Sequence, residues 1–366
     1  MSVYLVVFLI VLTVGLLSKN VVIRGSSGYW NQDKSFLIFV WIVLSLLEGL
    51  RAYSVGTDTY DYINSFATLD WKYETYEPLS KLMVLIVRTI SHNPTVYLII
   101  CALVINGLIL NAIYKMSNDR RYSVFIFISL LFYFTSFNAI RQAFAYACMI
   151  NAFYYIRERK WIKFAIFLIL AIEFHSSAII GLLYLLIPIL DRRKENSSPM
   201  GTGNQFFSNI KYILITIVLS AVFRMYFDKL IVFFVQFFPM YEGYLFNEYR
   251  DMVGGIQEPI VYSAIFVCFM FLVPNDAKYK KCYALPLSVA VIFAFASLKM
   301  AYIARFMYYF NIVTVITIPY MLKNNIFDKK SKTIIKVAIT TVCIAFLFYG
   351  LLNNYMRVLD YMFVWQ

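Results

Sequence analysis

The chain has 366 residues, of which 61% are hydrophobic, 19% aromatic and only 14% charged, with 33 Lys+Arg against 20 Asp+Glu for a net charge of +13. Ordinary soluble domains are about 45–50% apolar and about 25% charged, so this composition excludes a soluble enzyme with a polar coat, and it is too apolar for a disordered chain. In a chain this apolar the basic excess reads as topology-setting cytoplasmic loops rather than a nucleic-acid surface.

At about 20 residues per span the length admits about a dozen helices. The expected fold class is therefore all-α: a polytopic integral membrane protein, one transmembrane domain over residues 1–366. Its apolar runs, in chain order, are 3–18, 35–50, 95–114, 122–137, 141–156, 161–175, 177–190, 211–228, 259–273, 283–299, 303–322 and 336–351. The first has no basic leader and no small-residue cleavage site, so it reads as a retained helix rather than a signal peptide. The run 79–91 (LSKLMVLIVRTIS) is about 13 residues long and carries Lys81 and Arg88. A segment that short is expected to be re-entrant or interfacial.

Charge supports that reading. With 79–91 not crossing, the alternate loops 19–34, 115–121, 157–163, 191–211, 274–281 and 323–336 hold 22 of the 33 basic residues and 7 of the 20 acidic ones, a net +15 against −2 elsewhere. The positive-inside rule makes these loops cytoplasmic and puts both termini outside. Two longer stretches then face out, a loop with a short helix at 51–94 and a second loop at 229–258, both rich in Tyr and carboxylates. Long loops on a rigid scaffold are where sites are usually built.

Ionisable groups at membrane depth read first as functional. Arg51 ends the second run one turn after Glu48 and is either a snorkelling anchor or an anion ligand. Asp58 follows in Val55-Gly56-Thr57-Asp58-Thr59-Tyr60, where Gly56 permits a tight turn; Asp61 is a weaker candidate. Arg141 opens a helix after a very short hairpin, where a guanidinium beside backbone N–H groups suits phosphate. His175 interrupts a long apolar stretch, with a pKa near 6.5 suited to general-base work; Glu173 is a weaker neighbour. Arg305 shares a helix face with Tyr309. Arg224 and Arg250 are further cations of the same level. The free cysteines Cys101, Cys148, Cys268, Cys282 and Cys343 form no CxxC pair, and no Gly-rich phosphate loop or DxD-like motif is present. No metal and no cofactor is expected.

Five segments carry a resemblance: Arg51-Ala-Tyr-Ser-Val-Gly56-Thr57-Asp58-Thr59-Tyr60-Asp61-Tyr62, Tyr76-Glu77-Pro78-Leu79, Asn138-Ala139-Ile140-Arg141-Gln142, Phe174-His175-Ser176-Ser177 and Arg305-Phe306-Met307-Tyr308-Tyr309. In their order and spacing the sequence resembles the EpsG family, which groups with Wzy-type polysaccharide polymerases of bacteria. The resemblance implies a GT-C-like fold in the cytoplasmic (inner) membrane and a metal-independent glycosyltransferase. Its substrate would be an oligosaccharide repeat unit linked to undecaprenyl pyrophosphate. Units would be polymerised on the outer face into exopolysaccharide, capsule or O-antigen, and a chain-length regulator is a partner it suggests.

On that reading Arg51, Arg141 and Arg305 hold the pyrophosphate as the sugar departs. Asp58 or His175 is the base. Tyr60, Tyr62, Gln142 and Tyr309, with Tyr241 and Tyr244 behind them, meet sugars. The rival readings are a transporter or flippase of lipid-linked sugars, an O-antigen ligase and a membrane acyltransferase.

Overall fold

The computed structural model describes residues 2–20, 24–25, 28–29, 32–191, 202–237 and 253–366. Among these the chain is helical almost throughout, apart from two-residue strands β1 (Arg24–Gly25) and β2 (Gly28–Tyr29) paired antiparallel. The chain divides into two compact units, Met1–Tyr154 with Ile162–Ile179 and Thr333–Gln366, and Tyr155–Trp161 with Ile180–Lys332.

The first unit begins with α1 (Ser2–Asn20) and α2 (Gln32–Gly49), then three short helices, α3 (Thr59–Thr68), α4 (Trp71–Glu74) and α5 (Pro78–Ile90), and the long α6 (Pro94–Met116). Helices α2 and α6 run antiparallel: Trp41 Nε1 donates to Leu103 O (2.7 Å), Ser45 Oγ to Ala102 O (3.2 Å), and a Cβ on Gly49 would lie 2.6 Å from the Ile99 Cα. Small residues let the two backbones approach closely, as membrane helices require. The chain therefore leaves α2 and enters α6 at the same end of this unit, with α3, α4 and α5 between.

At the opposite end three basic connectors meet. Asp33 pairs with Arg120 (2.6 Å) and Arg121 (2.5 Å), and Lys336 lies 3.4 Å from Asp119.

The run 122–137 is not one helix. It splits into α7 (Arg120–Ser129) and the one-turn α8 (Phe132–Thr135), divided at Leu131, whose φ is +65°. Gly350 on the last helix lies against the Leu131 side chain, and a packing contact sets the break. Helix α9 (Ile140–Arg157) follows, then α10 (Trp161–Phe174), a 3₁₀ stretch (Ser176–Leu185) and α11 (Leu186–Leu190).

The second unit contains α12 (Thr202–Met225), α13 (Phe227–Phe237), α14 (Gln257–Leu272), α15 (Lys280–Ser297), a 3₁₀ turn (Ala301–Ile303), α16 (Ala304–Asn311) and α17 (Thr314–Asn324). The loop expected at 229–258 starts as α13, and its residues 238–252, with Tyr241, Tyr244 and Arg250, lie outside the described residues. Within this unit the buried Lys280 Nζ lies 2.5–3.0 Å from four acceptors, Met270 O, Val273 O, Asn275 Oδ1 and Asn209 Oδ1, which share its three N–H groups. It thereby satisfies carbonyls at the end of α14 that a helix leaves bare. Arg157 Nη1 donates to Tyr283 Oη (2.8 Å), with its guanidinium 4.3 Å from the Tyr279 ring centre.

Helix α18 (Lys329–Leu352) ends the helical series, and residues 353–366 turn back across the start of the 50–58 loop. Ala52 N donates to Met362 O (2.8 Å), Val364 N to Leu50 O (2.9 Å), Gly56 N to Arg357 O (2.9 Å), and Tyr361 Oη to Leu47 O (2.7 Å). Tyr4 of α1 packs edge-on to both Phe134 and Tyr361 at this end.

Among the described residues four helices are long and apolar enough to cross a membrane: Pro94–Met116, Gln205–Met225, Lys280–Ser297 and Lys329–Leu352. The pair Ala301–Asn311 and Thr314–Asn324, bent by 49°, makes a fifth if it is one span. The chain is an all-α membrane protein. The other expected runs are helical but shorter, interrupted or less apolar.

Candidate functional site

The 50–58 loop, between α2 and α3, is held in place from both sides of the sequence. Gly56 has φ +97°, a conformation suited to glycine, and a Cβ there would lie 2.5 Å from Asn138 Oδ1. Asn138 accepts from Thr57 N (2.5 Å) and donates from Nδ2 to Met356 O (2.8 Å), so one amide ties the loop, the 353–366 segment and the α8–α9 hairpin.

Arg51 is part of that foundation. Its side chain is fully buried, with Nε donating to Thr59 Oγ1 (3.1 Å), Nη1 to Glu48 O (2.5 Å) and Nη2 to Phe137 O (2.8 Å), and its guanidinium over the Phe137 ring. The Glu48 carboxylate accepts from Asn106 Nδ2 (2.8 Å).

Glu77 is the centre of a second network. It precedes Pro78, which holds it in extended backbone (φ −65°, ψ 156°) at the N-terminus of α5. The side chain does not cap its own helix. It reaches instead to Arg141 at the start of α9, with Oε2 2.6 Å from Nη1, and to His175 just after α10, with Oε1 2.8 Å from Nδ1. Ser176 adds its backbone N–H (3.0 Å) and hydroxyl (3.3 Å) to the same Oε1.

Packing brings these three helix ends together. Ser80 Oγ of α5 donates to Phe174 O (2.9 Å), and Phe144 of α9 stacks on Phe174 at 4.3 Å. The Arg141 guanidinium lies 4.4 Å from the Tyr76 ring centre, and buried Tyr62 of α3 lies against the same guanidinium, its ring 6.1 Å from that of Tyr76. Arg141 Nε is buried with no hydrogen-bond partner among the described residues. Gln142 is buried one residue on.

The electrostatics give these groups distinct roles. Burial by itself raises the Glu77 carboxyl, but the hydrogen bond and charge of His175, the charge of Arg141 and the Ser176 amide outweigh it and hold the group down to about 2. An ionised carboxylate only accepts, so Nδ1 of His175 carries the proton. The Nε2 atom is then the basic nitrogen of the ring, and Arg141 is a cation gripped on one edge. An imidazole and a guanidinium thus hang from one carboxylate.

The other sequence candidates lie as follows. Asp58 is partly exposed at the N-terminus of α3, makes no cap bond and accepts from Thr57 Oγ1 (2.8 Å). Tyr60 points outward, 60% exposed. Asp61 is ion-paired with Lys72. Arg305 belongs to the second unit, where its guanidinium lies 4.6 Å from the Tyr302 ring centre; Tyr309 is fully buried there and its carbonyl accepts from Tyr184 Oη (2.7 Å). Arg224 is 3.5 Å from Phe295 O. The first unit thus joins Arg141 and His175 through Glu77, and places Arg51 in a separate buried network. The sequence reading missed Glu77 as a site residue. Its signal was a carboxylate directly before Pro78 in one of the quoted segments.

The sequence model of the EpsG family matches residues 34–363, a range that contains both networks. The chain belongs to the EpsG family. Neither a curated protein nor a solved structure matches it. In this EpsG family member the match starts after α1 and takes in Glu77, Arg141, His175 and Arg305.

Proposed function

We propose that the protein is a polysaccharide polymerase that joins polyprenyl-pyrophosphate-linked oligosaccharide units on the outer face of the bacterial cytoplasmic membrane, without a metal, in exopolysaccharide, capsule or O-antigen synthesis. The observation that carries this is Glu77 bridging Arg141 and His175. On this reading the acceptor hydroxyl of the incoming lipid-linked unit attacks the anomeric carbon of the growing glycan. The new C–O bond forms, the bond to the pyrophosphate oxygen breaks, and the hydroxyl proton passes to His175 Nε2. The lipid pyrophosphate leaves as an anion stabilised by Arg141. The imidazole fixed by Glu77 favours His175 over Asp58 as the base. Arg51, buried and bonded through all three of its nitrogens, acts as a support for the 50–58 loop rather than as a ligand.

The twelve apolar runs are read as twelve spans of a GT-C-like fold, with both termini extracytoplasmic and α5 re-entrant. The antiparallel α2–α6 pair, which returns the chain to one end, and the meeting of three basic connectors at the other support that topology. The Arg141 guanidinium, on a face the orientation rule leaves neutral or acidic, favours an anionic substrate.

The test is a membrane assay with lipid-linked repeat units. Arg141→Ala and His175→Ala should stop chain extension at unchanged protein level. Normal polymer from both would remove the proposed site. Lipid-linked units moved across the membrane but never joined would identify a flippase, and transfer to a different acceptor a ligase.

A further inference from the structure

We propose that the outward side of the 53–60 segment is a sugar subsite, in which Tyr53 and Tyr60 stack on rings of the elongating polysaccharide and Asp58 accepts its hydroxyls. The proposal rests on the polymerase reading and assigns a place to the product chain.

Tyr53 and Tyr60 are 64% and 60% exposed, with ring centres 6.4 Å apart and planes at 64°. Two large rings held side by side in the open are an apolar surface with nothing of this unit over it. Polar groups share their rim: Ser54 and Thr57 are exposed, Asp58 is partly exposed, and the Asp61–Lys72 ion pair joins the first turn of α3 to α4, while Met362 lies against Ser54. Pyranose rings have the complementary make-up, C–H faces for the aromatic rings and hydroxyls for a carboxylate.

Asp58 fits the acceptor role. It occupies the N-cap position of α3 yet makes no side-chain cap bond, and the hydroxyl of Thr57 steadies one of its oxygens. The segment is rigid, because Gly56 N is held by Arg357 O, Thr57 N by Asn138 Oδ1 and Thr59 Oγ1 by Val55 O. A preformed surface loses little entropy on binding.

Helix α3 relates this surface to the reacting centre. Tyr62 faces inward against Arg141, and Tyr60, two residues earlier and about 200° round the helix, faces out. A glycan whose pyrophosphate lies at Arg141 would meet Tyr60 after crossing one helix width, about 10 Å. The subsite therefore holds sugars already polymerised and keeps the chain in place between additions.

The experiment uses the full-length protein in nanodiscs and short oligosaccharides made by partial hydrolysis of the host's own surface polysaccharide. Tyr53→Ala/Tyr60→Ala should weaken their binding by about tenfold or more, whereas Tyr53→Phe/Tyr60→Phe and Arg141→Ala should stay within about twofold of the parent. In the joining assay the alanine pair should form the first linkage at the parent rate but release a shorter product. Unchanged binding in the alanine pair, equal loss in the alanine and phenylalanine pairs, or no oligosaccharide binding by the parent would each overturn the subsite. So would a first linkage that slows in step with chain length. A parent protein that binds the oligosaccharides but joins no units would end the polymerase reading and leave the subsite standing.

Discussion

The carboxylate of Glu77 lies 2.8 Å from Nδ1 of His175, across 98 residues of sequence, and its other oxygen lies 2.6 Å from Arg141 Nη1. One side chain thus sets the tautomer of an imidazole and the position of a guanidinium.

That shared tether predicts non-additive losses. His175→Ala should slow joining by about 10²–10⁴-fold, the usual worth of a positioned base. Glu77→Gln should slow it by at least about tenfold, since the amide accepts more weakly and no longer enforces one tautomer. The Glu77→Gln/His175→Ala pair should lose less than the product of the two single losses, because the part of Glu77 that acts through His175 is already gone while its hold on Arg141 is not. Single-turnover rates of the three variants are the measurement, and multiplicative losses would separate the two residues.

Acid should act through the same carboxylate. Glu77 sits at about 2 in the folded chain against an ordinary 4.5. Its charge therefore adds stability above pH 4.5, and that contribution drains away as pH falls through this window toward 2. Between about pH 5 and pH 3 the parent should lose on the order of 2 kcal/mol more than Glu77→Gln. Thermal melting in nanodiscs across that range reads the difference, and parallel curves would contradict it.

The two arginine networks should respond differently to truncation. Arg51→Met leaves the carbonyls of Glu48 and Phe137 in the interior without their donor, at about 1–3 kcal/mol each, so the amount of folded protein should fall. Arg141→Ala should leave that amount unchanged while removing joining. Gly56→Ala should resemble Arg51→Met, because the residue must keep φ +97° beside Asn138; such strain costs about 1–3 kcal/mol. Membrane protein levels alongside polymer yield separate the two classes.

The sequence carried the helical segmentation well where composition alone decides it. Each expected run coincides with helix, and the 79–91 run is α5, placed between two helices whose antiparallel pairing returns the chain to its starting end. The breaks were not legible. Leu131 turns left-handed against Gly350, more than two hundred residues away, and no local pattern encodes that contact. Gly56 was readable as a turn because its neighbours Thr57 and Asp58 are turn formers. Arg51 was placed near Glu48 correctly, but it bonds the Glu48 carbonyl while the carboxylate goes to Asn106. Glu77 escaped because its partners lie 64 and 98 positions on, and long-range pairing is what a single sequence conceals.

The return of residues 353–366 to the Gly56 loop has a consequence for biogenesis. Arg357 O and Met356 O, which hold Gly56 N and the Asn138 amide, are translated some three hundred residues after that loop. The loop is therefore made without its final anchors and waits through the synthesis of every intervening helix. A newly made chain stays immature in this region until residue 364 has been made, and a chain stalled before that point leaves the loop unlatched.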